Sequence, residues 1–431
     1  MLIMGSRLIK LYLMWELDCG SRMGIGNMRV LIVTDACVLD GGIAKVVLDS
    51  VRLLRAKGVD VTIFSGGGEV DANFRGLGVR IVTCGQYELK DTRHRALTMV
   101  KGLWNWTIAR RLEELLSEFK PQDTVVHIHA WSKILSPSVF GVLRRNGFKT
   151  FMTCHGFYLK CPNAAQYDYP EQRVCELKGC GLKCLLRNCD ARCYAHKVWR
   201  WIRQQIVLRE LDRFRSLRLI SISDRECARI RAQIGEGHEF IRINNPIAFR
   251  DASFPSASDR DAYVFVGRMS AEKAPRLFAE AVRRADARGI LIGDGEDLLA
   301  IKRDYPEIEC VGWKTPEEIS RILCSRTRAL VFPSVLYEGA PLAPLEAMAA
   351  DVPCIISDVT NAVEYVEDGV TGLLFKSGDV GDLKRKIMMM NDPEFRGMLT
   401  ENIKKRFDIS KWSEETHIEK LMSAYVAALK E

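Results

Sequence analysis

Long apolar runs are missing from this 431-residue sequence. Nothing approaches the roughly 18 uninterrupted apolar residues that a membrane-crossing helix needs, so none is expected. The run from Leu8 to Trp15 is short, and Lys10, Glu16 and Asp18 interrupt or flank it. It has only a superficial likeness to the apolar core of a secretion signal. Met28-Arg29-Val30-Leu31-Ile32-Val33 reads as the natural opening of a β-strand. Residues 1–27 are therefore expected to be a poorly ordered extension or the product of a misplaced start codon. No block of Lys and Arg and no nucleic-acid module is present, which argues against a nucleic-acid partner. Low-complexity tracts and short repeats are lacking too, which excludes a solenoid.

What is present is the composition of an ordinary soluble globular protein: 47% hydrophobic, 27% charged and 8% aromatic residues. The length suffices for two well-packed domains. A formal charge of +8 favours anionic partners such as nucleotides, lipid phosphates or an anionic membrane surface.

Two successive α/β blocks can be read along the chain. Arg29–Val33 is a short apolar run of the kind buried in a parallel sheet. Gly41-Gly42 turns the chain, Ile43–Ala56 has a helical period, and Gly58 ends that helix. Further strands are expected at 59–64, 79–83, 124–129, 149–154 and 218–222. The second block has strands at 263–266, 289–292, 308–311, 329–332 and 354–356, with a helix from Pro275 to Arg288. Alternating strands and helices predict α/β architecture, with two doubly wound parallel-sheet domains. The expected division is 28–245, then 246–411 with residues 246–260 as linker. An amphipathic helix at 412–431 is expected to pack back on the first domain.

The sharpest signal is Tyr337-Glu338-Gly339-Ala340-Pro341-Leu342-Ala343-Pro344-Leu345-Glu346, which follows a strand ending at Phe332-Pro333-Ser334. Ligands of open α/β sheets bind at the carboxyl ends of strands, and a turn into a helix offers backbone N–H groups to an anion. A carboxylate one helical turn in, such as Glu346, can accept two hydrogen bonds from a ribose diol. Glu338 and Glu346 match the E-x7-E motif of glycosyltransferase family 4, and the chain resembles that family from residue 28 to near its end. Val266-Gly267-Arg268 followed by Lys273 resembles the family's diphosphate clamp. Ile292-Gly293-Asp294-Gly295-Glu296 resembles its Gly-Asp-Gly turn, and Val311-Gly312-Trp313 the strand and loop that read the nucleobase. The resemblance implies the GT-B fold, in which two Rossmann-like domains face each other across a cleft. It also implies a nucleotide-sugar donor whose phosphates meet Arg268 and Lys273. Glu346 would hold the ribose, while Glu338 and the amides after Gly339 would touch the transferred sugar. Two departures stand out: Ala274-Pro275 replaces the usual Gly after the clamp lysine, and Val359-Thr360-Asn361-Ala362 lacks the usual Gly pair before Glu364. Gly293 and Gly295 lack the third glycine of a dinucleotide fingerprint, since position 298 is Leu.

On the acceptor side, Gly41 and Gly42 are either a plain tight turn or, as the resemblance implies, a place where backbone approaches a phosphate or the acceptor. Lys45 would add charge there. His155 follows Thr153-Cys154 at a strand end and resembles the family's strand-end histidine, with Gly156 in place of its usual Asp. His127 and His129 alternate on one strand and share a face, and His129 could reach the acceptor. Cys161, Cys175, Cys180, Cys184, Cys189 and Cys193 crowd one insertion, residues 161–193. Three readings stand for it: a structural Zn2+ on Cys161, Cys175, Cys180 and Cys184, a disulfide loop, or unbound thiols. The basic stretch Arg187–Arg218, with Trp199, Trp201 and Ile202, is either a solvated helix face or a contact with a membrane surface.

The expectation is thus a retaining hexosyltransferase-type enzyme with Glu338, His155, Arg268 and Lys273 in its chemistry and no catalytic cofactor. It would move a sugar to a saccharide or lipid-linked acceptor in cell-surface polysaccharide or glycolipid synthesis, in the cytoplasm or at the inner membrane face. A nucleotide-sugar 2-epimerase of the same architecture and a non-catalytic partner subunit are the alternatives.

Overall fold

The computed structural model describes residues 28–86, 88, 95–247 and 260–431. The expected extension 1–27 and most of the expected linker lie outside the described residues. The chain divides into two compact units, one reaching Met152 and including Met422–Glu431, the other Thr153–Leu421.

The first unit contains β1 (Arg29–Thr34), α1 (Gly42–Ala56), β2 (Asp60–Gly67), α2 (Ala72–Arg75), β3 (Arg80–Gln86), α3 (Arg95–Leu103), α4 (Trp106–Leu116), β4 (Thr124–Ile128), α5 (Ser138–Asn146) and β5 (Lys149–Cys154), in which the division falls. The strands run parallel in the order β3-β2-β1-β4-β5. Val30 pairs with Val61 on one side, and Leu31 with Val126 on the other. Val30, Leu31, Ile32 and Val33 are wholly buried, each contributing about 1.5–3 kcal/mol by leaving water. Helix α1 turns Ala44, Val47, Val51 and Leu54 inward, and Gly58 takes the left-handed conformation that stops it (φ 79°). The buried Asp35 accepts hydrogen bonds from the amides of Lys133, Ile134 and Leu135 at 2.8–2.9 Å, so one carboxylate fixes the loop after β4. Tyr425 also belongs to this unit. Its hydroxyl lies 2.5 Å from His127 Nδ1 and its ring meets Phe151 edge-on.

The second unit opens with a two-stranded hairpin, β6 (Tyr167–Asp168) and β7 (Arg173–Val174), then α6 (Leu182–Leu186), α7 (Tyr194–Arg213), β8 (Arg218–Ser221), α8 (Asp224–Ile234) and β9 (Phe240–Arg242). β8 and β9 pair in parallel. A six-stranded parallel sheet follows, made of β10 (Ala262–Val266), β11 (Arg288–Ile292), β12 (Glu309–Gly312), β13 (Thr327–Phe332), β14 (Cys354–Ser357) and β15 (Gly372–Phe375) in the order β12-β11-β10-β13-β14-β15. Its helices are α9 (Pro275–Arg284), α10 (Leu298–Asp304), α11 (Pro316–Arg326), α12 (Leu342–Ala349), α13 (Val380–Met389) and α14 (Pro393–Arg406), and α15 (Glu414–Lys430) closes the chain. Tyr263, Phe265, Phe278, Leu291, Val331 and Phe375 form the main core on one face of the sheet.

The helix expected to reach Arg288 stops at Arg284. Asp286 has turned left-handed (φ 49°) and Arg288 already opens β11. Residues 153–245, expected with the first domain, fall within the second unit. Among the described residues no helix is long and apolar enough to cross a membrane.

Candidate functional site

Three loops at the carboxyl ends of β10, β11 and β12 are stitched together by backbone hydrogen bonds. Gly267 N donates to Ile292 O (3.0 Å), Met269 N to Asp294 O (2.9 Å), and Gly293 N to Gly312 O (2.8 Å). Gly293 has φ 136°, and a Cβ on it would lie 2.0 Å from Gly267 O. Only glycine fits, which explains the Gly-Asp-Gly turn in terms of space as well as torsion. Trp313 projects beside this platform, 65% exposed.

The loop after β10 leads into α9. Ala274 adopts the left-handed conformation (φ 54°) and Pro275 begins the helix, so the Ala-Pro pair in place of the usual glycine is accommodated, at some strain on Ala274. Lys273 extends from this turn to the loop after β13, where its ammonium pairs with the carboxylate of Glu338. Ser334 donates to the same Glu338 oxygen at 2.6 Å, and Val335 N donates to Glu272 O at 3.0 Å. Arg268, by contrast, stands at the rim with its side chain 72% exposed, and its guanidinium lies 3.6 Å from Glu272. The expected cationic pair is therefore unequal: Lys273 is already seated against Glu338, while Arg268 reaches into solvent.

Glu338 itself is left-handed (φ 49°), an uncommon conformation for a residue with a side chain. Asn361 holds it there. The Asn361 side-chain amide donates to Glu338 O (2.6 Å) and Gly339 O (3.0 Å), and its backbone N donates to Tyr337 O (2.8 Å). Asn361 is 1% exposed. In the sequence its segment stands out only by lacking glycines, and no local pattern reveals a side chain that bonds a loop more than 20 positions away. Glu346 lies half-buried on α12, the helix that Ala340, Pro341 and Leu342 lead into.

The loop is also buttressed from behind. Tyr337 is buried against Phe157 and Cys161, and the Arg229 guanidinium stacks over its ring at 3.5 Å. His155 follows β5 directly, and its backbone lies next to Gly339. Burial, with a smaller contribution from His417, pushes the His155 imidazole down to about 3, so the ring is neutral at ordinary pH. A neutral ring offers one donor and one acceptor nitrogen.

The cysteine-rich insertion arranges its sulfurs differently from the expected set. Cys161, Cys175, Cys184 and Cys189 line one small pocket, while Cys180 does not. The ammonium of the wholly buried Lys197 sits in that pocket, 3.2 Å from Cys184 Sγ and 3.3 Å from Cys189 Sγ. Among the described residues no group of three or more His, Cys, Asp or Glu side chains has metal-holding geometry, and a resident ammonium would repel a second cation. The residues present thus do not fit the expected zinc site. The thirteen described cysteines are free, so no disulfide joins them. The insertion is held by hydrogen bonds and by this internal cation, a role for Lys197 that the sequence did not disclose.

In the first unit, Gly41 and Gly42 are exposed, with open space where a Cβ would stand. Lys45 is paired to Asp49 at 2.9 Å, so its charge is already compensated. His129 is buried at 4% exposure, its ring 4.0 Å from that of His127.

With this geometry in place, comparison with known proteins is informative. A family model described as glycosyl transferases group 1 matches residues 248–406, and one described as glycosyl transferase 4-like domain matches residues 41–233. The UDP-Gal:alpha-D-GlcNAc-diphosphoundecaprenol alpha-1,3-galactosyltransferase of Escherichia coli is 26% identical over 183 residues, covering 39% of this chain and 46% of that enzyme. The structure of HepE from Anabaena in complex with UDP superposes with a TM-score of 0.64 at 12% identity, over 93% of this chain and 100% of that one. Sucrose-phosphate synthase from Thermosynechococcus elongatus superposes with a TM-score of 0.65 at 18% identity, over 93% and 98%. The fold matches over nearly the whole chain, whereas the sequence match to the curated relative spans less than half of that protein. With two family models that between them take in both units, the chain belongs to the glycosyl transferases of group 1, family 4, and has their GT-B fold.

Proposed function

We propose that this protein is a glycosyltransferase that takes its sugar from a nucleotide-sugar donor bound at the loops after β10, β11, β12 and β13. The contact between Lys273 and Glu338 carries the reading. It brings a phosphate-binding cation and a sugar-facing carboxylate, 65 positions apart, to one point at the strand ends. The relatives add support, since one is named for a UDP-galactose donor and one was solved with UDP.

In the proposed reaction the bond between the donor's anomeric carbon and the β-phosphate oxygen breaks, and the electron pair stays with the diphosphate. Lys273, joined by the exposed Arg268, neutralises the growing negative charge. The acceptor hydroxyl forms its bond to the anomeric carbon on the face the diphosphate leaves, and its proton passes to the departing phosphate oxygen. Configuration is thereby retained. His155, Glu338 and the amides after Gly339 orient the sugar hydroxyls. The acceptor is a saccharide or a lipid-linked saccharide, as in cell-surface polysaccharide synthesis.

A lipid-linked acceptor fits one further feature. Leu182 and Leu186 on α6 are 70% and 69% exposed, flanked by Lys183 and Arg187, while Trp199 and Trp201 of α7 are half-buried. The contact with an anionic membrane surface is thus proposed for α6 rather than for the tryptophans.

The test is donor binding and turnover with a panel of nucleotide sugars. Arg268→Ala and Lys273→Ala are each expected to weaken donor binding at least tenfold. Unchanged affinity in both would remove the clamp. Slow release of free sugar from a bound donor supports a transferase; formation of the 2-epimer instead, or no donor binding at all, would refute it.

A further inference from the structure

Helix α8 begins at Ser223, whose hydroxyl oxygen accepts from Glu226 N at 3.1 Å. Ser223-x-x-Glu226 is the sequence of a capping box, in which the glutamate side chain reaches back to the serine amide. That return bond is not made. Glu226 is wholly buried; among the described residues its carboxyl oxygens make no well-formed hydrogen bond, and the Ile222 amide and Arg242 are the polar groups that act on it. The helix start is served instead by Glu364, which accepts from Ser223 Oγ and Arg225 N, both at 2.6 Å. Glu226 is turned the other way, onto the donor loop. A Cβ on Gly339 would lie 3.2 Å from its Oε1, 3.2 Å from the Ile222 side chain and 3.6 Å from the His155 carbonyl carbon. The Glu226 carboxyl therefore stands at the edge of the space that a side chain at position 339 would take.

We propose that Glu226 is a positioning residue of the donor loop: its buried carboxyl fills the space against Gly339 and so keeps Glu338 within reach of Lys273. An ionised carboxylate cannot stay there. Around that space stand Gly339, the Ile222 side chain and the His155 carbonyl carbon, and a buried charge without a close partner is strongly disfavoured. A new partner is available. Arg242, on β9, has a buried Nη1 without a hydrogen-bond partner, while its other nitrogens lie 3.5 Å from Asp224 and 3.6 Å from Glu364. Turning toward Arg242 would draw the carboxylate off Gly339. The other titratable groups facing Glu226 are Glu364, Cys154 at the end of β5 and Cys227 on its own helix. Burial raises the Glu226 carboxyl well above the ordinary carboxylate range. The Ile222 amide and Arg242 pull the other way, and Glu364 adds to the rise.

The inference rests on the donor-site reading, and its test separates the two. Full-length protein and Glu226→Gln are followed from pH 5 to pH 9.5 by hydrogen exchange of the peptide covering residues 336–342, corrected for the intrinsic rate, and by UDP titration. Protection of that peptide is expected to fall at least tenfold in the wild type as pH rises through the Glu226 ionisation, and to stay level in Glu226→Gln. UDP affinity is expected to fall over the same interval in the wild type alone. Parallel protection profiles in the two proteins would overturn the proposal, whatever UDP does. Profiles that diverge while UDP binds neither protein would leave Glu226 seated as argued and defeat the donor-site reading. A UDP affinity that stays parallel in both while protection diverges would show that Glu226 does not position the nucleotide site, which also overturns the proposal. Glu226→Leu, which fills the same space without a charge, is expected to behave like Glu226→Gln.

Discussion

Removing the Asn361 side chain should unseat the donor loop without unfolding the protein. Asn361→Ala deletes two hydrogen bonds, at 2.6 and 3.0 Å, to the carbonyls of Glu338 and Gly339. The backbone bond from Asn361 N to Tyr337 O is retained. Each side-chain bond contributes about 0.5–1.5 kcal/mol net, so the seated form of the loop loses about 1–3 kcal/mol. Glu338 then has less to keep it at φ 49° and relaxes toward conformations that residues with side chains prefer. If the seated loop is the form that binds, donor affinity falls by the same free energy, which is about 5- to 150-fold. Isothermal titration with UDP or a nucleotide sugar measures this directly, and thermal denaturation reports whether the fold survives. Asn361→Asp keeps the size, loses the donors and sets a negative charge beside two carbonyl oxygens, so it should be at least as harmful. Affinity within twofold of the wild type in Asn361→Ala would refute the account of this loop.

Three further expectations follow from individual contacts. Gly293→Ala must displace Gly267 O, which stands 2.0 Å from the new Cβ, at a backbone angle of φ 136°. Strain of about 1–3 kcal/mol, at about 2–4 °C per kcal/mol for a domain of this size, lowers the melting temperature by roughly 5 °C. Gly312→Ala, with no atom within 4 Å, should cost less, and equal melting of the two would count against the stitched-loop description. Cys184→Ala with Cys189→Ala leaves the Lys197 ammonium buried without either sulfur, a loss of about 3–5 kcal/mol. Adding Lys197→Met should restore most of it, and failure of that rescue in denaturant melts would show that the sulfurs do not serve the ammonium. His155, held at about 3 in the fold and near 6.5 when unfolded, binds a proton more readily in the unfolded chain below pH 6.5. Wild-type stability is therefore full above that pH and declines as pH falls toward 3. Glutamine at this position should flatten that part of the stability profile, and an acid limb identical in both proteins would contradict it.

The parts of the site legible in the sequence were those carried by short, contiguous patterns. Gly293 could be read because close backbone approach demands glycine, Gly267 and Gly312 from the short motifs that carry them, and Lys273 and Glu338 because they flank strand ends in a known order. The strands themselves were visible as apolar runs, within a few residues at each end. The short β9 and β15 escaped notice, since three or four residues give too little pattern to separate a strand from a loop. The residues that hold the site in shape were not legible. Asn361 acts on carbonyls 22 and 23 positions away, and Glu364 caps a helix that starts 140 positions earlier. Glu226 sits in a sequence that predicts a local capping bond, and Glu364, far along the chain, serves that helix start in its place. For the cysteines, the residue types were informative and their partner was not: a lysine in the next helix sits against the thiols for which a metal was one of three readings.

In this conformation Glu338 serves as a built-in counter-ion for Lys273. Any incoming anion has to compete with a carboxylate that is already there at no translational cost. A singly charged ligand has little to gain from the exchange, whereas a diphosphate can engage both Lys273 and the exposed Arg268. Under the proposed function the pair would act as a threshold against chloride, acetate and monoesters, with the lysine's charge balanced between turnovers.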